Sequence, residues 1–141
     1  MNFLNDYSTT FAGLAVILAT VLVQQLIAAS KKARAPGAIP GKMDESLGHE
    51  SQVFRAQRTW MNSLENLPAM LGTIFLAVMV GANDTWTGIL VWVFAISRII
   101  HMVLYYVIAT NVNPSPRSWF FLIGLVANLA LLVFCVIALL D

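Results

Sequence analysis

Residues 118–140 read SWFFLIGLVANLALLVFCVIALL and contain no charged side chain. A helix needs about 20 mostly apolar residues to cross a hydrocarbon layer of about 30 Å, so this stretch predicts a membrane-spanning helix. Residues 7–30 and 66–83 are also uncharged, and residues 85–113 contain only Arg98 and His101 as ionisable groups other than tyrosine. Four spans are therefore predicted, at about 8–30, 62–82, 86–110 and 117–140, and the second helix begins before the membrane at about residue 52.

The composition of the whole chain agrees with these spans. Of its 141 residues, 59% are hydrophobic and only 11% are charged, whereas a soluble domain is roughly 25% charged. The net charge of +1 gives no reason to expect a nucleic-acid partner, and the single cysteine excludes a disulfide framework within the chain. Because the segments do not alternate in polarity, a barrel is not expected. We predict one domain over 1–141, an all-α integral membrane four-helix bundle.

The positive charges predict how the bundle lies in the membrane. Seven of the eight Lys and Arg residues flank or occupy the first and third connections, whereas the charged residues on the opposite side are all acidic. The positive-inside rule then places both termini on the outer side and the loop at about 31–51 in the cytoplasm.

Polar side chains interrupt the second and third spans at helical spacing. Arg55, Arg58, Asn62 and Glu65 follow one another at intervals of 3, 4 and 3, which puts them on one helix face. Arg98, His101 and Tyr105 form a second stripe at intervals of 3 and 4. At a rise of about 1.5 Å per residue, Glu65 and Arg98 both fall in the cytoplasmic half of the bilayer. We therefore predict a salt bridge between Glu65 and Arg98.

Glu65 alone cannot neutralise all the arginines predicted near the cytoplasmic side, which include Arg55, Arg58 and Arg117 as well as Arg98. The guanidinium group binds carboxylates through a planar fork, so the surplus charge favours an anion with several carboxylates. Structural interpretations remain open for the single residues. Arg55 and Arg58 can be anchors for lipid phosphate, His101 a structural hydrogen-bond donor, and Tyr105 an interface anchor. No metal site is predicted, because His49 and His101 have no suitable partners nearby.

Residues 55–68 of the second helix (RAQRTWMNSLENLP) resemble the corresponding stretch of the MAPEG family, the membrane-associated proteins in eicosanoid and glutathione metabolism. The family carries Arg, then Asn four residues on, then Glu three residues later, as Arg58, Asn62 and Glu65 do here. Its third helix has an Arg-x-x-His-x-x-x-Tyr pattern, which is matched by Arg98, His101 and Tyr105. An arginine at the start of the fourth helix is matched by Arg117, which Ser118 follows.

This resemblance implies a homotrimer of four-helix bundles that binds glutathione between subunits toward the cytoplasmic side. It assigns glutathione contacts to six residues, with Arg58 as a nearby positive group: Asn62, Glu65, His101, Tyr105, Arg117 and Ser118. It also implies that Arg98 pairs with Glu65 to order the site, and that Arg34 corresponds to an arginine that reaches the tripeptide. Two departures, Met61 and Phe121, stand where eicosanoid-forming members have Arg and Tyr, so a prostaglandin or leukotriene synthase role is not expected. The Glu-Asn-Leu-Pro sequence at 65–68 is closer to bacterial members, so the resemblance implies a bacterial inner membrane, or an endomembrane if the source is eukaryotic.

The function implied is that of a glutathione-dependent membrane transferase or peroxidase, with glutathione as cosubstrate and no metal. Arg117 and Ser118 are the predicted catalytic residues, which would stabilise the thiolate at a helix N-terminus. A lipophilic electrophile or hydroperoxide would reach it from the membrane. The alternative is a non-catalytic protein of the same family that binds lipid or glutathione. A transporter or channel subunit is less favoured, because its polar groups should run through the whole bilayer.

Overall fold

The computed structural model describes residues 3–140, and it forms a bundle of four long helices. A single helical turn, α1 (Phe3–Asp6), precedes α2 (Ser8–Ala33), α3 (Gln52–Val80), α4 (Asp84–Val107) and α5 (Pro116–Leu140). Each long helix is long and apolar enough to span a membrane, as the sequence predicts. No strand occurs in the described part of the chain. The predicted all-α four-helix architecture is confirmed.

Local sequence signals determine where the helices begin and end. Ser51 caps the N-terminus of α3 by accepting a hydrogen bond from the Phe54 amide at 3.4 Å, and Asn83 caps α4 by accepting from the Trp86 amide at 3.0 Å. Gly81 ends α3 in the left-handed region with φ 69°, where glycine meets no steric penalty. Pro116 opens α5, a position at which its missing N–H costs no helical hydrogen bond.

Three of the predicted helices have bounds that differ from the structure by more than one residue. The first span, predicted to end at 30, continues as a helix to Ala33, because Lys31 and Lys32 extend it past its apolar part. The second, predicted to reach 82, stops at Val80 because Gly81 turns the chain. The third, predicted at 86–110, runs from Asp84 to Val107 because Asn83 caps it earlier and Ile108 is extended.

Small residues allow the helices to approach closely. A Cβ atom on Gly13 of α2 would lie 2.8 Å from Val91 of α4, and one on Gly124 of α5 would lie 2.8 Å from the Ser97 hydroxyl of α4. These contacts join α2 and α5 to the two sides of α4. Close approach through small residues is a usual way for membrane helices to pack.

The two halves of the bundle differ in what they bury. At one end α2 and α4 finish while α3 and α5 begin; we call this end, with residues 34–51 and 108–115, the loop end. The half remote from it contains the apolar core, with Met70, Val91, Leu131 and Cys135 fully buried. The half near the loop end buries the charged residues Arg55 and Arg98 and the ring of His101. The polar stripes predicted from the sequence therefore meet inside one half of the molecule.

Candidate functional site

Arg98 is the deepest charged residue that the structure describes. Its side chain is only 4% exposed, and its Nη2 donates to Asn62 Oδ1 at 2.7 Å and to Ser63 Oγ at 3.0 Å. The stem of Arg98 also lies against Gly124 of α5, where a Cβ atom would be 3.8 Å from Arg98 Cδ. Arg98 therefore connects α4 to both α3 and α5.

The predicted salt bridge between Glu65 and Arg98 is wrong within this chain. Glu65 lies 3.6 Å from Arg58 instead, and these side chains are 54% and 37% exposed. The buried face of α3 contains Thr59 and Ser63. Arg58 precedes Thr59 by one residue, so in a helix with 3.6 residues per turn its side chain points about 100° away from Thr59. The helix therefore presents Glu65 outward while Ser63 faces Arg98.

His101 and Tyr105 continue from Arg98 toward the loop end. Both are buried, at 3% and 7% exposure, and their rings meet edge to face with centroids 5.6 Å apart. Tyr105 lies one turn beyond His101, so its hydroxyl reaches the residues that close the bundle. It connects the buried stripe of α4 with the loop end.

His49 is the centre of the polar contacts at the loop end. Its Nδ1 lies 2.9 Å from Asn111 Oδ1, and its Nε2 lies 3.0 Å from the Tyr105 hydroxyl and 3.2 Å from Arg117 Nη2. The guanidinium carbon of Arg117 lies 4.0 Å from the centre of the Tyr105 ring, which is a cation–π geometry. Residues from the 34–51 loop, α4, the 108–115 connection and α5 thus meet around one imidazole.

Arg55 is not available to a ligand in the way the sequence suggested. It is 6% exposed, and its Nη1 donates to the carbonyls of His49 at 2.6 Å and Glu50 at 3.0 Å. Its Nη2 donates to the carbonyl of Tyr106 at 3.3 Å. Carbonyls in the last turn of a helix have no intrahelical donor, so Arg55 caps α4 and fixes the start of α3 beside it.

Ser118 is engaged at the start of α5. Its Oγ accepts from the Ser115 amide at 3.1 Å and lies 2.9 Å from the Ser115 hydroxyl. A side chain in the first turn that bonds back to the residue before the helix forms part of a capping box. Ser118 therefore has a structural role, and its neighbour Arg117 lies beside the same helix N-terminus.

Other predicted ligand residues are spread over the surface. Arg34 is exposed at the end of α2, and Arg58 and Glu65 lie on the outward face of α3. The structure therefore gathers Asn62, Arg98, His101, Tyr105 and Arg117 inside or at the mouth of the bundle, and it leaves Arg34, Arg58 and Glu65 outside.

The loop end also contains a cavity of about 630 Å³ between the last turn of α2 and residues 35–53. No predicted site residue lines it, and its charged lining is balanced between Lys32, Lys42, Asp44 and Glu45. Hydrogen bonds from the side chain and amide of Ser46 hold the pKa of Asp44 below its usual value. Within residues 3–140, no three His, Cys, Asp or Glu side chains come together as a metal site.

The sequence analysis missed His49, Ser63 and Asn111 as members of the polar cluster. Ser63 could have been found, because it follows Arg55 and Thr59 at intervals of four on the buried line of α3. His49 lies two residues before the cap of α3, and Asn111 lies in an irregular connection. The contact between His49 and Asn111 depends on how two loops fold over the bundle, and helical periodicity gives no information about loop paths.

Comparison with known families gives one clear result. A model of the MAPEG family matches residues 8–137, nearly the whole chain. Neither the curated proteins nor the solved structures gave a match. With its four membrane-spanning helices, the protein is an integral, multi-pass membrane protein. Because the family match extends from the start of α2 almost to the end of α5, the chain belongs to the MAPEG family.

Proposed function

We propose that the protein is a glutathione-dependent membrane transferase or peroxidase. MAPEG membership by itself suggests a role related to glutathione or eicosanoid metabolism. The observation that carries the finer proposal is Arg117, a half-buried cation at the start of α5 that is packed on Tyr105. Within the described residues, its guanidinium has no carboxylate within 4.0 Å. An anionic ligand would supply the missing negative charge.

The proposed binding mode uses the outward groups as well as the loop end. Glutathione carries two carboxylates and one ammonium group, so it can pair with both Arg58 and Glu65 on the exposed face of α3. We propose that the site is completed between copies of the chain in a homotrimer. The exposed Arg34 at the end of α2 would then reach a tripeptide bound on a neighbouring copy.

The chemistry that we propose is activation of the thiol. Free thiols of this type have a pKa of roughly 8.5, so little thiolate exists at neutral pH. The guanidinium of Arg117 would stabilise the thiolate, with the α5 N-terminus adding a favourable dipole. Each unit by which the thiol pKa falls corresponds to 1.36 kcal/mol and, while the pH is well below the pKa, to about tenfold more thiolate. The thiolate would then form a carbon–sulfur bond to a lipophilic electrophile as its leaving group departs. With a hydroperoxide it would cleave the O–O bond to give the alcohol and a sulfenic acid, which a second glutathione would convert to the disulfide and water.

The test measures glutathione binding to the detergent-purified protein by calorimetry, together with ultraviolet absorbance of the thiolate. We expect the wild type to bind glutathione and to form thiolate. Arg117→Ala should bind weakly and form no thiolate. Lys42→Ala, which removes a positive charge from the exposed loop, should behave as the wild type and serves as the matched control.

Each contrary outcome has a definite meaning. Failure of the wild type to bind glutathione would refute the proposal and leave the fold unaffected. Binding without thiolate would favour the non-catalytic member of the same family. Native mass spectrometry of the 15.5 kDa chain should show a trimer, and a monomer would contradict the shared site.

A further inference from the structure

His49 makes contacts that no sequence motif assigns to it. Its ring touches Tyr105 of α4, Asn111 of the following connection and Arg117 of α5. Its own backbone carbonyl is held by Arg55 at 2.6 Å. Both the backbone and the ring of His49 are therefore fixed, and they are fixed by different elements.

The contacts define which nitrogen of the ring carries the proton. Asn111 Oδ1 can only accept, so the Nδ1 of His49 donates to it. Nε2 of the neutral ring then has its lone pair directed at two donors, the Tyr105 hydroxyl and Arg117 Nη2. Arg117 has no acceptor atoms, so the contact between Arg117 and His49 requires an unprotonated Nε2.

Nε2 of His49 has a single lone pair, and the Tyr105 hydroxyl and Arg117 Nη2 both lie within 3.2 Å of it, so these two donors share one acceptor. The Tyr105 ring packs against one face of the Arg117 guanidinium, with the ring centre 4.0 Å from the guanidinium carbon, and Nε2 of His49 accepts from Nη2 at its edge. Together they restrict a long, flexible side chain to one orientation beside the first turn of α5. The Arg117 side chain therefore loses its conformational entropy when the protein folds, so ligand binding does not have to order it.

We propose that His49 is a positioning residue, which holds Arg117 in place through Nε2 so that the guanidinium is oriented toward a bound thiolate. This inference rests on the function proposed above, because it assigns Arg117 the same role. His49 itself transfers no proton in this scheme. Through its carbonyl contact with Arg55 and its ring contact with Arg117, it fixes the position of the Arg117 charge relative to the start of α3.

Two substitutions separate positioning from other roles. In His49→Gln the amide can place its oxygen near the position of Nε2 and accept from Arg117. In His49→Asn the shorter amide can reach only the position of Nδ1, next to Asn111. Both variants remove the ring and remain polar, but Gln keeps the acceptor for Arg117 and loses the donor to Asn111, whereas Asn keeps that donor and loses the acceptor.

The first readout is thiolate absorbance at saturating glutathione. We expect His49→Gln to retain thiolate within about twofold of the wild type. His49→Asn should lose about tenfold, which corresponds to a thiol pKa about one unit higher. Equal thiolate in His49→Asn and the wild type would overturn the inference. Equal loss in both variants would also overturn it, because the ring itself would then be required.

The second readout needs no glutathione. Nitrogen NMR of histidine-labelled protein in micelles should show His49 protonated at Nδ1 and unprotonated at Nε2. The chain has two histidines, so His49→Gln assigns the signals. Arg117→Ala should shift the Nε2 resonance, and an unchanged resonance would refute the contact. If this shift is seen but the wild type forms no thiolate, the proposed function fails while the contact stands.

Discussion

Arg98 on α4 donates to Asn62 Oδ1 on α3 at 2.7 Å, although a carboxylate, Glu65, follows Asn62 by less than one turn. The buried cation is thus held by an amide and a hydroxyl, while the acid pairs with Arg58 at the surface. Neutral partners leave the positive charge of Arg98 uncompensated by an acid in the described chain. This arrangement keeps the interior of the loop half electropositive.

The Asn62 contact should therefore matter more for stability than the Glu65 ion pair. Asn62→Leu leaves a buried donor of Arg98 unpaired, and we expect the free energy of unfolding to fall by about 1–3 kcal/mol. Glu65→Gln removes only an exposed ion pair, which is worth about 0–1 kcal/mol. Unfolding by SDS titration, followed by tryptophan fluorescence, measures both. A larger loss in Glu65→Gln than in Asn62→Leu would contradict the observed pairing.

Gly124 should be a site where added volume is costly. In Gly124→Ala the new methyl group would lie 2.8 Å from the Ser97 hydroxyl, which is itself bonded to the Phe94 carbonyl at 2.8 Å. We expect a loss of about 1–3 kcal/mol, the usual result of overpacking.

Gly72→Ala is the matched control for Gly124→Ala, because nothing lies within 4 Å of its new methyl group. Alanine favours a helix over glycine by about 0.5–1 kcal/mol, so this variant should be as stable as the wild type or slightly more stable. Thermal unfolding in detergent compares the two. Similar losses in both variants would show that the α4–α5 approach is not the cause.

Two substitutions at Tyr105 should separate its hydroxyl from its ring. Tyr105→Phe removes the bond to His49 and keeps the surface under Arg117, so we expect a loss of about 0.5–1.5 kcal/mol. Tyr105→Leu also removes the cation–π contact and should lose about 0.5–2 kcal/mol more. Unfolding measurements on both variants test this order. Equal stability of the two would mean that the ring does not support Arg117.

Asp44 should titrate at a lower pH than a free aspartate. The Ser46 hydroxyl and amide hydrogen-bond its carboxylate and lower its pKa. Because the folded-state pKa lies below the unfolded one, this contact stabilises the loop above the unfolded pKa of about 3.9. The stabilisation is lost as the pH falls through the folded pKa.

Carbon NMR of the Asp44 carboxyl group measures this midpoint. Ser46→Ala removes the hydroxyl donor and keeps the amide, so the midpoint should rise part of the way toward the free value. Glu50, whose pKa is lowered by the amides of Glu50 and Gly48, should be unaffected and serves as the internal control. A midpoint for Asp44 that Ser46→Ala leaves unchanged would contradict the role of the hydroxyl.

The spans could be read from the sequence because hydrophobic length is a local property. Gly81 and Pro116 are equally local signals, and both stand at helix boundaries as expected from their backbone preferences. Of the ends that differed, those at Ala33 and Val107 depend on whether a polar or irregular residue continues the helix. Neither outcome is fixed by apolar length alone.

Helical spacing predicted which residues share a stripe better than it predicted which partner each one meets. Helical spacing placed Arg98, His101 and Tyr105 on one stripe, and the structure buries all three. The same spacing could not decide whether Glu65 or Asn62 faces Arg98, because both are within reach of α4 until the rotation of α3 is known. His49 was overlooked since it belongs to no periodic pattern.

Apolar length and helical period in the sequence were enough to predict four membrane-spanning helices and two stripes of polar residues. Apolar length and helical period are properties of single segments, so they need no knowledge of neighbours. The sequence pattern did not show that Arg55 donates to backbone carbonyls, that Glu65 faces outward or that the Arg117 guanidinium contacts His49. Those outcomes follow from the rotation of each helix about its axis and from the path of two loops. Both are set by packing between distant residues.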